Sequence, residues 1–158
     1  MKTAFTMVEL IFVIVILGIL SAVAIPKLSG VTRDANIAQG MATVSSIRSA
    51  IANSRQKSLI TGNASYPLIL DDATVGDTNG SLFDGNASID VLQYPIRTGS
   101  KQGNWQKITT RGSYTSSYKF YIDSSSVATF DYNKTDGKFD CLHDGSTSEA
   151  VNCRELLN

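Results

Sequence analysis

The chain has 158 residues, with 14 basic and 14 acidic side chains and a formal net charge of +0. That length holds one compact domain plus an appendage, and the neutrality excludes a protein that coats nucleic acid by bulk charge. The two cysteines, Cys141 and Cys153, form no CxxC, and His143 is the one histidine. Neither a zinc-type ligand set nor the parts of a Ser-His-Asp or Cys-His centre follow from these residues, so no enzyme is expected.

Apolar residues crowd the first third of the chain, and from residue 5 to residue 25 the only ionisable side chain is Glu9. At about 1.5 Å per residue this stretch makes a helix of roughly 30 Å, the thickness of a bilayer core. Three readings fit it. One is an uncleaved membrane anchor. The second is a secretory signal, with Lys2 as its basic start, residues 10–20 as its apolar run and Ala22-Val23-Ala24 as its cleavage site. The third keeps the helix and removes only the residues before Phe5. Glu9 bears on the choice, because a charge inside a lipid-facing helix is costly unless a partner neutralises it. Cleavage between Ala4 and Phe5 creates an α-amino group close to Glu9 in depth, in the same helix or a neighbouring subunit. An opposite charge within a few ångströms favours the ionised carboxylate.

The run AFTMVELIFVIVILGILSAVAIP closely resembles the class III leader and helix of type IV pilins and type II secretion pseudopilins. In that family a prepilin peptidase cuts the leader and methylates the new N-terminal residue, usually Phe. The resemblance implies that residues 1–4 are the leader, that the bond between Ala4 and Phe5 is cut, and that Phe5 is N-methylated. It also implies that Phe5, Thr6 and Glu9 serve assembly. The family usually has Gly before the cut; Ala4 keeps a small residue there, so cleavage is expected. The motif covers only the start of the chain, but leader, Phe, Glu, apolar run and proline all fall in register.

Pro26 has no N–H, so the carbonyl of Ala22 loses its helical partner, and Gly18 is a weak helix former. The segment between them is expected to bend or unwind when subunits pack, as it does in related filaments. Membrane helices also tolerate both residues without such a role. From 27 to 58 the pattern becomes amphipathic. Leu28, Val31, Ala35, Ala38 and Ala42 form one lane, and Ile37, Met41, Val44, Ile47 and Ile51 form the next. Arg33, Asp34, Gln39, Arg48, Arg55 and Lys57 are expected to face elsewhere. The helix should stop before Thr61-Gly62-Asn63. The resemblance adds that the upper half is covered by a globular domain while the lower half packs between subunits, where alanine spacing permits close helix contact.

Residues 59–158 read as a β-rich globular domain. Pro67 and Pro95 exclude helix interiors, and short strands are expected near residues 89–92 and 105–109. In YKFYI, Tyr118, Phe120 and Ile122 alternate on one face; VATFDY and KFDC follow after turns, which makes an antiparallel meander. Its apolar face should cover the amphipathic helix, giving an α+β, pilin-like fold of one long N-terminal helix on a small C-terminal sheet. Cys141 and Cys153 bracket a short loop. The N-terminal signal sends the domain across the inner membrane into an oxidising compartment, and the family often staples its C-terminal loop with a disulfide; two free thiols are the alternative. Such a bond is worth roughly 3 kcal/mol in the loop-entropy view.

Three weaker patterns remain. Asp131, Asn133, Asp136 and Asp140 surround the turn at Gly137, as oxygen ligands surround calcium. Their spacing misses the D-x-[DN]-x-[DN]-G loop by one residue, and turn chemistry accounts for the same residues. Arg97, Lys101, Lys107, Arg111 and Lys119 are interleaved with Trp105, Tyr114, Tyr118 and Tyr121, a mixture that can hold a nucleic-acid strand. The simpler reading, preferred here, is of acidic and basic faces that meet between subunits or sit in water. Asn86 and Asn133 stand in N-x-[ST] sequons with an acid two residues upstream, a motif some bacteria glycosylate.

Together these patterns lead us to expect a structural subunit of a pilin-like filament, first of all a type II secretion or competence pseudopilus acting in protein secretion or DNA uptake. A type IV pilus pilin is the near alternative. A secreted or membrane-anchored binding domain is the alternative of another class. The expected setting is the inner membrane, crossed once, with the domain in the periplasm. The expected partners are copies of the chain, other pilin-like subunits, a prepilin peptidase and an assembly platform.

Overall fold

The structure, a computed structural model, describes residues 5–85 and 91–157. It divides into two units, Met1–Ala35 and Asn36–Asn158. Helix α1 (Met7–Ile60) contributes to both.

Both ends of α1 follow from local chemistry. The Glu9 N–H donates to the Thr6 hydroxyl at 3.3 Å, so Thr6 occupies one of the orphan donors of the first turn. At the other end Gly62 takes φ 83°. Asn63 N–H then donates to the Ser58 carbonyl at 2.9 Å, and Gly62 N–H to that of Leu59 at 3.1 Å. This Schellman closure needs a left-handed residue, which glycine adopts without a Cβ penalty. It ends the helix at the Thr61-Gly62-Asn63 signal.

In the second unit β3 (Trp105–Ile108), β4 (Ser116–Tyr121), β5 (Val127–Asn133) and β6 (Lys138–Cys141) form a four-stranded antiparallel meander in sequence order. Phe120 pairs with Ala128 and Tyr118 with Phe130, so the alternating apolar residues of neighbouring strands line one face. Against them pack Val44, Ile47, Ala50 and Ile51 of α1, with Ile37 and Met41 at the margin. The core is aromatic: Phe130 stacks on Phe139 with centroids 5.2 Å apart, and Trp105 lies 4.9 Å from Phe120. The expected α+β layout of long helix followed by antiparallel sheet is therefore present.

Three features depart from the expectation. A small sheet of β1 (Ser81–Leu82) and β2 (Ile96–Arg97) replaces the strand expected near 89–92. Leu92 N–H still donates to the Phe83 carbonyl at 2.8 Å, while residues 89 and 90 lie outside the described residues. Helix α2 (Ser148–Leu157) was not anticipated in a region read as β-rich. Its start carries a cap, for the Thr147 hydroxyl accepts from Ala150 N–H at 3.2 Å. Ala150, Cys153 and Leu156 make its buried lane. Finally, β5 is buried on both faces, so Thr129 and Asp131 are interior as well as Phe130.

Candidate assembly surface

In the first unit the apolar helix is bare. Leu10 is 58 %, Phe12 65 % and Ile19 63 % exposed. A helix that is apolar all round must be covered by something, lipid or other helices. This stretch is long and apolar enough to cross a membrane. Phe5 is also exposed, and Glu9 stands in the first turn, where the helix dipole favours an acid. The T-x-x-E spacing of Thr6 and Glu9 is that of a capping box. The sequence reading missed this role, although the signal was present. Ala4 lies outside the described residues. α1 runs unbroken through Gly18 and Pro26 in the single subunit, so loosening there is left to assembly.

In the second unit the two lanes of the amphipathic half separate. The lane of Val44, Ile47 and Ile51 is buried, whereas Ala38 and Ala42 are exposed. Val31 and Ala35, in the first unit, are exposed as well. Small residues on an open face let a second helix approach closely. Some polar residues expected to face away instead reach the sheet. Arg48 Nε donates to the Phe139 carbonyl at 2.9 Å, and its Nη2 pairs with Asp140 at 3.0 Å. The Gln39 amide donates to the Gly103 carbonyl at 3.4 Å. Arg55 lies 4.3 Å over the Tyr66 ring and donates to its hydroxyl. Their long stems span the distance from helix to sheet, which periodicity does not record.

Cys141 and Cys153 are joined, tying β6 to α2. The four oxygen residues around Gly137 are engaged separately. Asp131 is 7 % exposed; its Oδ2 meets Arg111 Nη2 at 2.6 Å and its Oδ1 accepts from Ser117 at 2.6 Å. Asn133 accepts from Thr135 N–H at 2.9 Å and Asp136 from Lys138 N–H at 3.1 Å, both as turn caps. Asp140 is taken by Arg48. Among the described residues no group of His, Cys, Asp and Glu is placed to hold a metal ion.

The aromatic members of the nucleic-acid pattern are not available as a set. Trp105 is 1 % and Tyr118 0 % exposed, so neither can stack on a base. Two of the cations are also engaged, Lys107 with Asp71 and Arg111 with Asp131. The acid of the Asn133 sequon is the interior Asp131, while Asn86 lies outside the described residues.

No family model matches the chain, and no solved structure does. A curated relative does: the type IV narrow pilus major component PilA5 of Thermus thermophilus. It is 36 % identical over 104 residues, covering 61 % of this chain and 88 % of the relative.

Proposed function

The chain belongs to the type IV pilin family, and on that premise we propose that it is a filament subunit, processed by a prepilin peptidase and assembled through α1. The observation that carries this reading is the bare apolar stretch of α1, which a soluble monomer would not leave uncovered. In the membrane, lipid covers it. After the bond before Phe5 is cut, subunits stack helix against helix on a membrane assembly platform. Apolar packing supplies most of the energy, and the new Phe5 amine pairs with Glu9 to set the register between neighbours. The segment from Gly18 to Pro26 yields during packing. The work is mechanical: the chain is a building block of a rod and carries no catalytic centre of its own.

Between machines, the relative's description as a pilus component and the disulfide loop favour a type IV pilus. The short domain keeps a secretion or competence pseudopilus as the second reading. N-terminal sequencing of the mature protein tests the proposal. A start at N-methyl-Phe5 is expected; a start at Ile25 or Met1 overturns it. Deletion of the gene then separates the machines by whether surface fibres, secretion or transformation is lost.

A further inference from the structure

The second unit holds a lysine and an aspartate in contact, next to an acid left without a partner. Asp71 is 1 % exposed, and Lys107 Nζ lies 2.8 Å from its Oδ1, with the lysine side chain 16 % exposed. The Tyr118 hydroxyl donates to Asp71 Oδ2 at 2.7 Å, and Phe83 N–H to the same oxygen at 3.4 Å. Ala73 N–H reaches Oδ1 at 3.2 Å. Gly85 N–H donates to the Leu70 carbonyl at 2.8 Å, which lays Asp84 alongside this pair. Asp84 Oδ1 is buried and has no hydrogen-bond partner. Burial raises the Asp84 pKa, and so do the charges of Asp72 and Asp71; a backbone hydrogen bond and the Lys107 charge oppose them. The surrounding rings of Phe83 and Tyr118, 4.7 Å apart, help exclude water.

An orphaned buried carboxylate oxygen calls for an explanation, and a buried ion pair gains little net stability from its own attraction. An amine, a carboxyl carbon and a proton-transfer group held together supply one. We propose that Lys107 and Asp71 condense into an intramolecular isopeptide bond, with Asp84 relaying the protons. A proton first passes from the Lys107 ammonium to the Asp71 carboxylate, giving a neutral amine and a carboxylic acid, which a dry site favours over two charges. The amine lone pair attacks Cγ of Asp71 and the C–N bond forms. The Tyr118 hydroxyl steadies the negative charge that develops on Oδ2. Asp84 takes a proton from the nitrogen and delivers one to Oδ1, which leaves as water. The amide keeps Oδ2 as its carbonyl oxygen. One water is lost, and no oxidant, reductant or cofactor takes part. Fixing the amine against the carbonyl supplies the proximity that the same groups lack in solution. The product ties the segment after α1 to strand β3, a covalent brace suited to a chain that bears tension.

The test is peptide mass mapping of the full-length protein purified in detergent. Without the bond, trypsin cuts after Lys107 and releases linear peptides 58–97 and 102–107. With it, Lys107 is blocked, and residues 58–97 appear joined to residues 102–111, lighter than the sum of the two by one water. Linear peptides alone, at their sequence masses, would overturn the proposal. Asp84→Asn, checked by circular dichroism for a native fold, is expected to abolish the branched species. Its undiminished yield there would remove Asp84 from the reaction. Lys107→Arg is expected to abolish it too, and persistence in that variant would show that a different lysine is joined. None of these readouts depends on whether filaments form.

Discussion

Arg111 Nη2 stands 2.6 Å from Asp131 Oδ2, and Nη1 of the same guanidinium reaches Glu149 at 3.6 Å. One arginine therefore joins the centre of the sheet to α2. The carboxylate of Asp131 is interior, while Arg111 is 38 % exposed. The Asp131 hydrogen bond raises the Arg111 pKa, and burial acts against it. Arg111→Met leaves Asp131 with Ser117 as its remaining side-chain donor. We expect a loss of about 2 kcal/mol, between the values for surface and fully buried pairs. Urea unfolding of the soluble second unit checks this, and an unchanged midpoint would show the pair to be idle.

Glu9 has two separable roles, and two substitutions divide them. Glu9→Gln keeps the capping-box spacing with Thr6 but removes the charge. Glu9→Val removes both. We expect both variants to insert and lose their leader normally, and both to fail in assembly, because the pairing with the Phe5 amine is electrostatic. Sheared-filament yield is the measurement. Normal filaments from Glu9→Gln would mean that capping alone is what the acid supplies.

Gly40 is where a helix interior accepts the cost of glycine, about 1 kcal/mol relative to alanine. A methyl added there would lie 2.6 Å from Leu156 Cδ2 and 2.7 Å from Phe120 Cε1. The missing Cβ is what lets α2 and β4 approach α1. Gly40→Val should cost about 1–3 kcal/mol through overpacking, despite its gain in side-chain bulk. Thermal melting of the variant tests it.

Tyr118 and Tyr132 should resist alkali until the domain unfolds. Burial is the main cause that raises both pKa values above the ordinary 10.0; the Asp71 charge adds to it for Tyr118 and the Tyr66 charge for Tyr132. The unfolded chain ionises these phenols near pH 10 while the folded chain keeps them protonated. Their contribution is thus complete below about pH 10 and declines as pH rises beyond it. Phenolate absorbance should show four of the six tyrosines titrating before a cooperative final step. Six independent titrations would contradict the burial.

The Cys141–Cys153 bond closes a sequence separation of 12. Cys153→Ser should lower stability by roughly 3 kcal/mol, with α2 loosening before the meander. Hydrogen exchange should show early loss of protection in residues 148–157 and later loss in β4 and β5.

Much of this architecture was legible in the sequence because its signals are local. The alternation Tyr118, Phe120, Ile122 dictates a one-sided strand, and Thr61-Gly62-Asn63 dictates a stop. Helix α2 escaped notice because its apolar lane is only Ala150, Cys153 and Leu156, too short a run to stand out among Ser, Asp and Gly. The charged residues misled most. Asp131 was read as a calcium ligand and as part of a sequon, and Trp105 as a stacking platform; both are interior.

What the sequence determined by itself was the apolar helix with its single acid, the caps, and the order of the meander. Each depends on residues within a few positions of one another. The tertiary structure alone decided which lane of α1 is core and which is open, and which of the evenly mixed charges become buried partners. The two lanes of the helix both read as apolar from spacing. Only docking against a sheet of large aromatic side chains distinguishes them, since large residues such as Ile47 and Ile51 fill that interface and leave the alanines outside. Burial is a property of what comes to lie opposite a residue, and no local pattern contains that.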